Sequence, residues 1–448
     1  MNIKVLRNPT LIDGNGGEPI PHVALVIKDD IITDIIRGTS KEYPMTATVF
    51  ELGDCYVIPG LIDSHVHLAG DWSLAYNRKV VDVILRHALY AGITTIRDMG
   101  GDGRALSGVA REANLDEMEA PDCYYSALVA GPPFFSGTFA KDATKGETPG
   151  KVPWMQVITP ETDIHEAITL ARGSGARGIK IYSDLLVPQI KKITEEAHRQ
   201  DMKVWAHAAV MPTRPKHVID TGVDAISHTD LLAMETLDAL PKTWGDYIYG
   251  FSTVMRSGKI PEDTLPKALI DYICTLFDAT DPRKLNLDNP CFDNIFKKMI
   301  DNDTFLDATN FLGRLFGEKM MELICGIISM AHKAGIKISA GTDKFGTPKD
   351  GPFPNLFLEI ETFVDFCGFT PLEAISAATL INAEVIGITD THGTIEVGKK
   401  ANLVVLNQNP IKDIRNLRQI RFVMKNGKIY DRSFYSPEGI NDIMNELW

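Results

Sequence analysis

Eight apolar strand candidates, separated by helix-like stretches between about Pro59 and Gly398, predict an α/β protein built on a closed (β/α)8 barrel. Short strand candidates near both chain ends predict, in addition, a small β-sandwich domain formed from the two termini, which usually lie near each other. The chain of 448 residues is long enough for a barrel of about 250 residues, the smaller domain and an insertion.

The N-terminal part, residues 1–58, reads as short strands broken by turns: Lys4 to Leu6, His22 to Lys28 and Ile31 to Ile36, with Asp13-Gly14-Asn15-Gly16-Gly17 as punctuation. Residues 398–448 have the same texture. Ala401 to Leu406 forms one strand candidate there, and Ile420 to Tyr430 forms a hairpin turning at Asn426-Gly427. Residues 59–397 are assigned to the barrel. Its first strand candidate is the run Val57-Ile58-Pro59-Gly60-Leu61-Ile62-Asp63-Ser64-His65-Val66-His67-Leu68, read as one buried strand. Next come Ile93 to Asp98, Tyr124 to Val129, Gly178 to Tyr182, Lys203 to His207, Ala225 to His228, Thr304 to Ala308 and Lys337 to Asp343. The surplus lies at about 229–303, an insertion after the sixth strand that contains Trp244, Tyr247, Tyr249, Phe251 and a helix-like run from Leu265 to Phe277. Its place after a strand end predicts a lid or subunit contact over the barrel mouth.

A net charge of −13 argues against nucleic acid or an anionic membrane as partner, because both select basic surfaces. Six cysteines (Cys55, Cys123, Cys274, Cys291, Cys325 and Cys367) are scattered without Cys-x-x-Cys spacing, as expected of free thiols in a reducing compartment. The N-terminus has no long apolar region with a cleavage site, and no run is long enough to span a bilayer. A cytoplasmic protein, expected to be a homo-oligomer acting on a small molecule, is the resulting expectation.

Chemistry gathers at the strand ends. His65 and His67 alternate with Val66 and so share one strand face, where two imidazoles suit a metal or hydrogen-bond each other in a polar rim. Lys180 on the fourth strand, His207 on the fifth, His228 on the sixth and Asp343 on the eighth also sit near C-terminal strand ends, the face on which (β/α)8 barrels build active sites. Lys180 lies between Ile179 and Ile181, where an ammonium beside a metal would be costly. Carbamylated by carbon dioxide, it would offer a carboxylate able to bridge two cations; as a free amine, it would pair with Asp343 or bind an anionic substrate. Tyr182 shares the Lys180 face, as an oxyanion donor or as a packing residue. Phe134 and Phe135 either line the pocket or are buried in their loop, and Arg97 and Asp98 are expected to pair with each other as scaffolding.

These residues reach a known family. The Val57 to His67 run, Gly92-Ile93-Thr94-Thr95-Ile96-Arg97-Asp98, Gly341-Thr342-Asp343 and the return Gly393 to Leu403 together resemble the metal-dependent amidohydrolase superfamily over essentially the whole chain. Gly178-Ile179-Lys180-Ile181, Ala206-His207-Ala208 and Ser227-His228 are similar to its branch of prolidase-like (Xaa-Pro dipeptidase) and imidazolonepropionase-related enzymes. The resemblance implies two divalent ions, zinc by preference. His65, His67 and Asp343 would hold the first, His207 and His228 the second, and carbamylated Lys180 would bridge both. It implies hydrolysis of an amide bond in dipeptides or N-acyl amino acids by a hydroxide shared between the ions, with Asp343 as proton acceptor. The loop Gly131 to Thr138 departs from that branch in lacking the histidine of its Gly-Gly-His run, which removes the usual contact to a substrate carboxylate. Alternatives are a mononuclear cyclic amide hydrolase of the imidazolonepropionase type, a deaminase, for which Ala208 to Met211 lacks the expected glutamate, and a noncatalytic scaffold, which should have lost ligands.

Overall fold

A computed structural model describes residues 2–38, 43, 46–69, 76–236, 240, 242–243, 289–316, 318–348 and 350–435. Eight parallel strands form the barrel: β1 (Leu61–Val66), β2 (Ile93–Asp98), β3 (Asp122–Ala130), β4 (Gly178–Ile181), β5 (Lys203–His207), β6 (Ala225–Ser227), β7 (Phe305–Asp307) and β8 (Ile338–Ser339). Consecutive strands pair through parallel ladders from β1 to β8. Helices such as Arg78–Tyr90, Gly103–Asn114, Ile164–Gly173 and Val187–Arg199 connect them, and the side chains of Asn77, Asp102 and Asp163 cap the first turns of the first three. The apolar faces of these helices and the outer faces of the strands share one continuous core, including Leu85, Ile96, Ile168, Ile179, Val204 and Ile226.

The ring closes between β8 and β1. Ser64 N donates to Ala340 O at 3.1 Å and Asp343 N to His65 O at 2.8 Å. Asn382 stitches the same seam: its Nδ2 donates to Ile62 O and Ala340 O at 2.6 and 2.7 Å, and its Oδ1 accepts from Ala340 N at 2.9 Å.

Beside the barrel, a four-stranded sheet (Ile3–Arg7, Val23–Lys28, Ile31–Arg37, Thr48–Glu51) faces a five-stranded one. The second sheet mixes the chain ends: Thr10–Leu11 and Tyr56–Pro59 pair with Leu403–Leu406, Ile420–Lys425 and Lys428–Asp431. Leu6, Leu25, Ile27, Val57, Leu403, Val405 and Met424 fill the space between the sheets, as in a sandwich. The hairpin turn expected at Asn426-Gly427 has positive φ at both residues, 48° and 71°, as a two-residue turn with the right twist requires.

One expectation is corrected. The run Val57 to Leu68 is two strands in two sheets, Tyr56–Pro59 in the sandwich and β1 in the barrel, with Gly60 between them. An unbroken apolar pattern cannot reveal that change of partner, but Gly60 marks it, because a Cβ there would collide with the Thr94 side chain of β2. Of the predicted insertion, Trp244, Tyr247, Tyr249, Phe251 and the Leu265 to Phe277 run lie outside the described residues. Its last part, Pro290–Asp301, is a helix packed on Pro215–Ile219, immediately before β7. No described helix is long and apolar enough to cross a membrane.

Gly60→Ala should destabilise the protein by about 1–3 kcal/mol through overpacking against Thr94. Urea denaturation followed by circular dichroism checks this, and an unchanged midpoint would show that the junction has room to spare.

Candidate active site

The barrel register builds the site in layers. Lys180 stands opposite Trp205, and Trp205 opposite Ala225. One layer nearer the C-terminal rim, His207, Ser227, Asp307 and Ser339 follow one another across β5 to β8. Side chains two residues apart on a strand share a face, so both layers look into the barrel. His65 on β1 and His67 just beyond it complete the near side.

The two remaining site residues lie past the regular strands in left-handed backbone. His228 follows β6 with φ 73°, and Asp343 lies four residues beyond β8 with φ 57°. Thr309, with φ 47°, brings its hydroxyl to 3.2 Å from His228 Nδ1. Such backbone costs on the order of 1–3 kcal/mol per residue and persists where the surroundings enforce it. Asp63 supplies part of that enforcement. Its carboxylate accepts from Thr342 N at 3.1 Å, from Thr342 Oγ1 at 2.9 Å and from His65 N at 3.2 Å, tying the Asp343 turn to β1.

Asp343 Oδ1 lies 3.1 Å from His65 Nε2 and 3.2 Å from His67 Nε2. The His65 and His228 rings are 5.1 Å apart between centroids, and those of His207 and His228 are 4.7 Å apart. Ligand atoms of His65, His228 and Asp343 all lie within 4.8 Å of one another. Two imidazoles and a carboxylate converging so closely form a donor set that fits a divalent ion such as zinc. Three of the six predicted ligands thus converge, with His67 beside Asp343 and His207 beside His228. The sixth, Lys180, is fully buried beneath them, with Nζ donating to Ser227 Oγ at 3.1 Å.

Electrostatics follow from burial without solvent compensation. Burial, opposed by Asp307, pushes the Lys180 amine down to about 7. Burial and the nearby cationic form of Lys180 hold His207 well below the usual imidazole range, and burial brings His228 down to about 3 despite the attraction of Asp343. These histidines are therefore neutral at physiological pH, the form in which imidazole ligates metal. Burial alone would raise Asp343, but hydrogen bonds from His65 and His67 outweigh it and hold the carboxyl well below its ordinary range. For His67 burial is likewise outweighed, here by Asp343 and Asp98, and its value rises to about 9.

Tyr182 follows β4, with its ring 4.0 Å from that of His207 and 4.6 Å from that of Phe134. Phe134 is buried, and Phe139 lies 5.9 Å from Tyr182 and 6.1 Å from His67, so an aromatic wall borders the histidines. Arg97 and Asp98 do not pair, contrary to expectation. Adjacent strand residues point to opposite sides: Arg97 Nη2 reaches Asp307 Oδ2 at 3.1 Å over the Trp205 ring, whereas Asp98 accepts from Leu68 N and Gly100 N at 2.6 and 2.9 Å. Sequence reasoning missed Asp307 altogether. The one signal available was a charged residue at the end of an otherwise apolar strand candidate.

A (β/α)8 barrel with histidines, an aspartate and a buried lysine toward its C-terminal rim is an arrangement suited to metal-assisted hydrolysis. The sequence profile of the amidohydrolase family matches residues 56–256 and 323–430, and the chain belongs to this family. It is a hydrolytic enzyme acting on carbon–nitrogen bonds, and the family generally uses divalent metals. Ochratoxinase from Aspergillus niger is 24% identical over 98% of this chain and 88% of its own length. The ochratoxinase crystal structure superposes with a TM-score of 0.69 at 21% identity, covering 97% of each chain. A Xaa-Pro dipeptidase with methionine bound in its active site has a TM-score of 0.68 at 20% identity, covering 96% of this chain and all of the other. Imidazolonepropionase from Flavobacterium johnsoniae is 35% identical over 99 residues, 22% of either chain.

Replacing Asp343 with Ala in the metal-free protein removes the main opposition to burial at His67. The His67 value should then fall from about 9 to below the ordinary 6.5. Proton NMR titration of the imidazole reads this directly, and a value still near 9 would contradict the pairing.

Proposed function

We propose that the chain hydrolyses the amide bond of a dipeptide or N-acyl amino acid with two divalent ions, most suitably zinc. The observation that carries this reading is the convergence of His65, His228 and Asp343, flanked by His67 and His207, above a buried lysine whose amine is shifted to about 7. His65, His67 and Asp343 would hold one ion, His207 and His228 the other, and Lys180, carbamylated, both. The ions, when bound, polarise the substrate carbonyl and make water a nucleophile at neutral pH.

The protein's own residues do the rest. Asp343 is ionised at neutral pH and faces the ligand cluster, placed to accept the proton of the attacking water and return it to the departing amine nitrogen. Tyr182 borders the same space and supplies its hydroxyl to the developing oxyanion. Phe134 and Phe139 line up behind it and keep bulk water from that side. Similarity to a Xaa-Pro dipeptidase favours a substrate whose scissile amide joins an amino acid. Cysteines 55, 123, 291, 325 and 367 are free thiols, which suits a protein of the cytoplasm.

A second reading, a mononuclear cyclic amide hydrolase with Lys180 as a free amine, is favoured by the local match to imidazolonepropionase. Lys180→Ala discriminates between them. On the first reading it loses the second ion and at least a thousandfold in kcat; full activity with two ions retained would contradict the bridging role. Hydrolysis confined to cyclic amides, in a panel that includes dipeptides and N-acyl amino acids, would select the second.

Lys180 also gives a pH dependence. Only the neutral amine reacts with carbon dioxide, and its value near 7 keeps that form abundant in neutral solution. Incorporation of carbon-13-labelled carbon dioxide into metal-free protein should rise with pH through about 7. A midpoint near 10, that of an ordinary lysine, would contradict the buried environment.

A further inference from the structure

We infer that Asp307 is a positioning residue that sets His65 and Lys180 in their ligand orientations at the same time; this rests on the metal-centre reading above. Asp307 ends β7, is fully buried and has no path to solvent or substrate of its own. Its Oδ2 lies 2.7 Å from His65 Nδ1 and also accepts from Ser227 Oγ and Arg97 Nη2, both at 3.1 Å. Its Oδ1 accepts from Ser64 Oγ at 3.3 Å and Ser339 Oγ at 3.4 Å. Five groups from four strands therefore meet on one carboxylate.

Two of those contacts lead to ligands. Accepting the hydrogen bond of His65 Nδ1–H frees Nε2, the nitrogen turned toward Asp343, to give up its own hydrogen and face an ion with its lone pair when one is bound. Ser227 Oγ donates to Asp307, so its lone pairs are left for Lys180 Nζ, which donates to it at 3.1 Å. The hydroxyl has a single hydrogen, and fixing where that hydrogen goes fixes the direction from which the lysine approaches. Gly341 leaves the room this requires: a Cβ there would stand 2.5 Å from Asp307 Oδ1 and 2.5 Å from His65 Cβ. The glycine of the Gly341-Thr342-Asp343 run is thus explained by the carboxylate packed against it.

An amide in place of the carboxylate keeps size and shape but has one acceptor oxygen and a donating nitrogen. Asp307→Asn therefore cannot satisfy His65, Ser227 and Arg97 together. Turned with its nitrogen toward His65, it would favour the ring tautomer with hydrogen on Nε2, where a ligand lone pair is needed. Ser227→Ala is the narrower change, removing the link to Lys180 while leaving Asp307 with His65 and Arg97.

The test uses full-length protein. Zinc affinity is measured by competition with a chelating dye, the cobalt(II) absorption spectrum is recorded, and melting temperatures are taken with and without zinc. Asp307→Asn should bind zinc roughly 10- to 100-fold more weakly, with an altered cobalt spectrum and a smaller zinc-induced rise in melting temperature. Ser227→Ala should weaken one of two bound ions and leave the other near its wild-type affinity. Wild-type affinities and spectra in both variants would overturn the inference, as would a lower melting temperature of the metal-free Asp307→Asn protein with zinc affinity unchanged. If Asp307→Asn does not fold, Ser227→Ala decides alone. Wild-type protein that binds no metal would overturn the metal-centre reading itself, an outcome separate from variants that bind as wild type does.

Discussion

Asp343 Oδ1 meets His65 Nε2 and His67 Nε2 at 3.1 and 3.2 Å, and that meeting joins the first strand of the barrel to the turn after its last. It exists only because the ring closes there. β8 contributes just Ile338 and Ser339 to a ladder, so the seam depends on single hydrogen bonds: Ser64 to Ala340, Asp343 to His65, and the three made by Asn382. Asp63, reaching Thr342, then holds Asp343 in its left-handed conformation. Fold closure and ligand geometry are the same set of contacts at this point. A change that loosens the seam would act first on the site.

Below that contact the barrel contains a charge arrangement that hydrophobic packing alone would reject. Lys180, Arg97 and Asp307 are all fully buried, with Arg97 paired to Asp307 and Lys180 hydrogen-bonded to Ser227 beside it. Burial lowers both Lys180 and Arg97, while His65, Arg97 and Lys180 together outweigh burial to hold Asp307 near 2. Removing one member of a buried ionic group typically costs roughly 3–5 kcal/mol, because the partner is left uncompensated. Carbamylation of the neutral Lys180 amine would remove the cost of a buried ammonium and present oxygen ligands above it.

Much of this was legible in the sequence, for a definite reason. In a (β/α)8 barrel the C-terminal strand ends converge, so imidazole, amine and carboxylate side chains toward the end of each candidate strand bring out His65, His67, Lys180, His207, His228 and Asp343 without any tertiary information, although Asp98 and Asp307 stand there as well. What escaped depends on which strands are neighbours. Asp307 acquires its meaning from standing beside Ser227 and Ser339, a register fact invisible in a single strand. Arg97 was assigned to its sequence neighbour Asp98, although strand geometry sends the two apart. The Val57 to Leu68 run failed as one strand because apolar alternation carries no mark of a change of sheet; Pro59-Gly60 was the punctuation. Asp343 and His228 were placed on strands but reach the site from left-handed residues just beyond them.

The central claim is that two ions share this rim, with Lys180 between them. Crystals of zinc-loaded, bicarbonate-treated protein, with diffraction recorded on both sides of the zinc absorption edge, test it most directly. The account predicts two anomalous peaks, one flanked by His65, His67 and Asp343 and the other by His207 and His228, with additional density extending from Lys180 Nζ to both. One peak with an unmodified lysine, or peaks away from these residues, would contradict it.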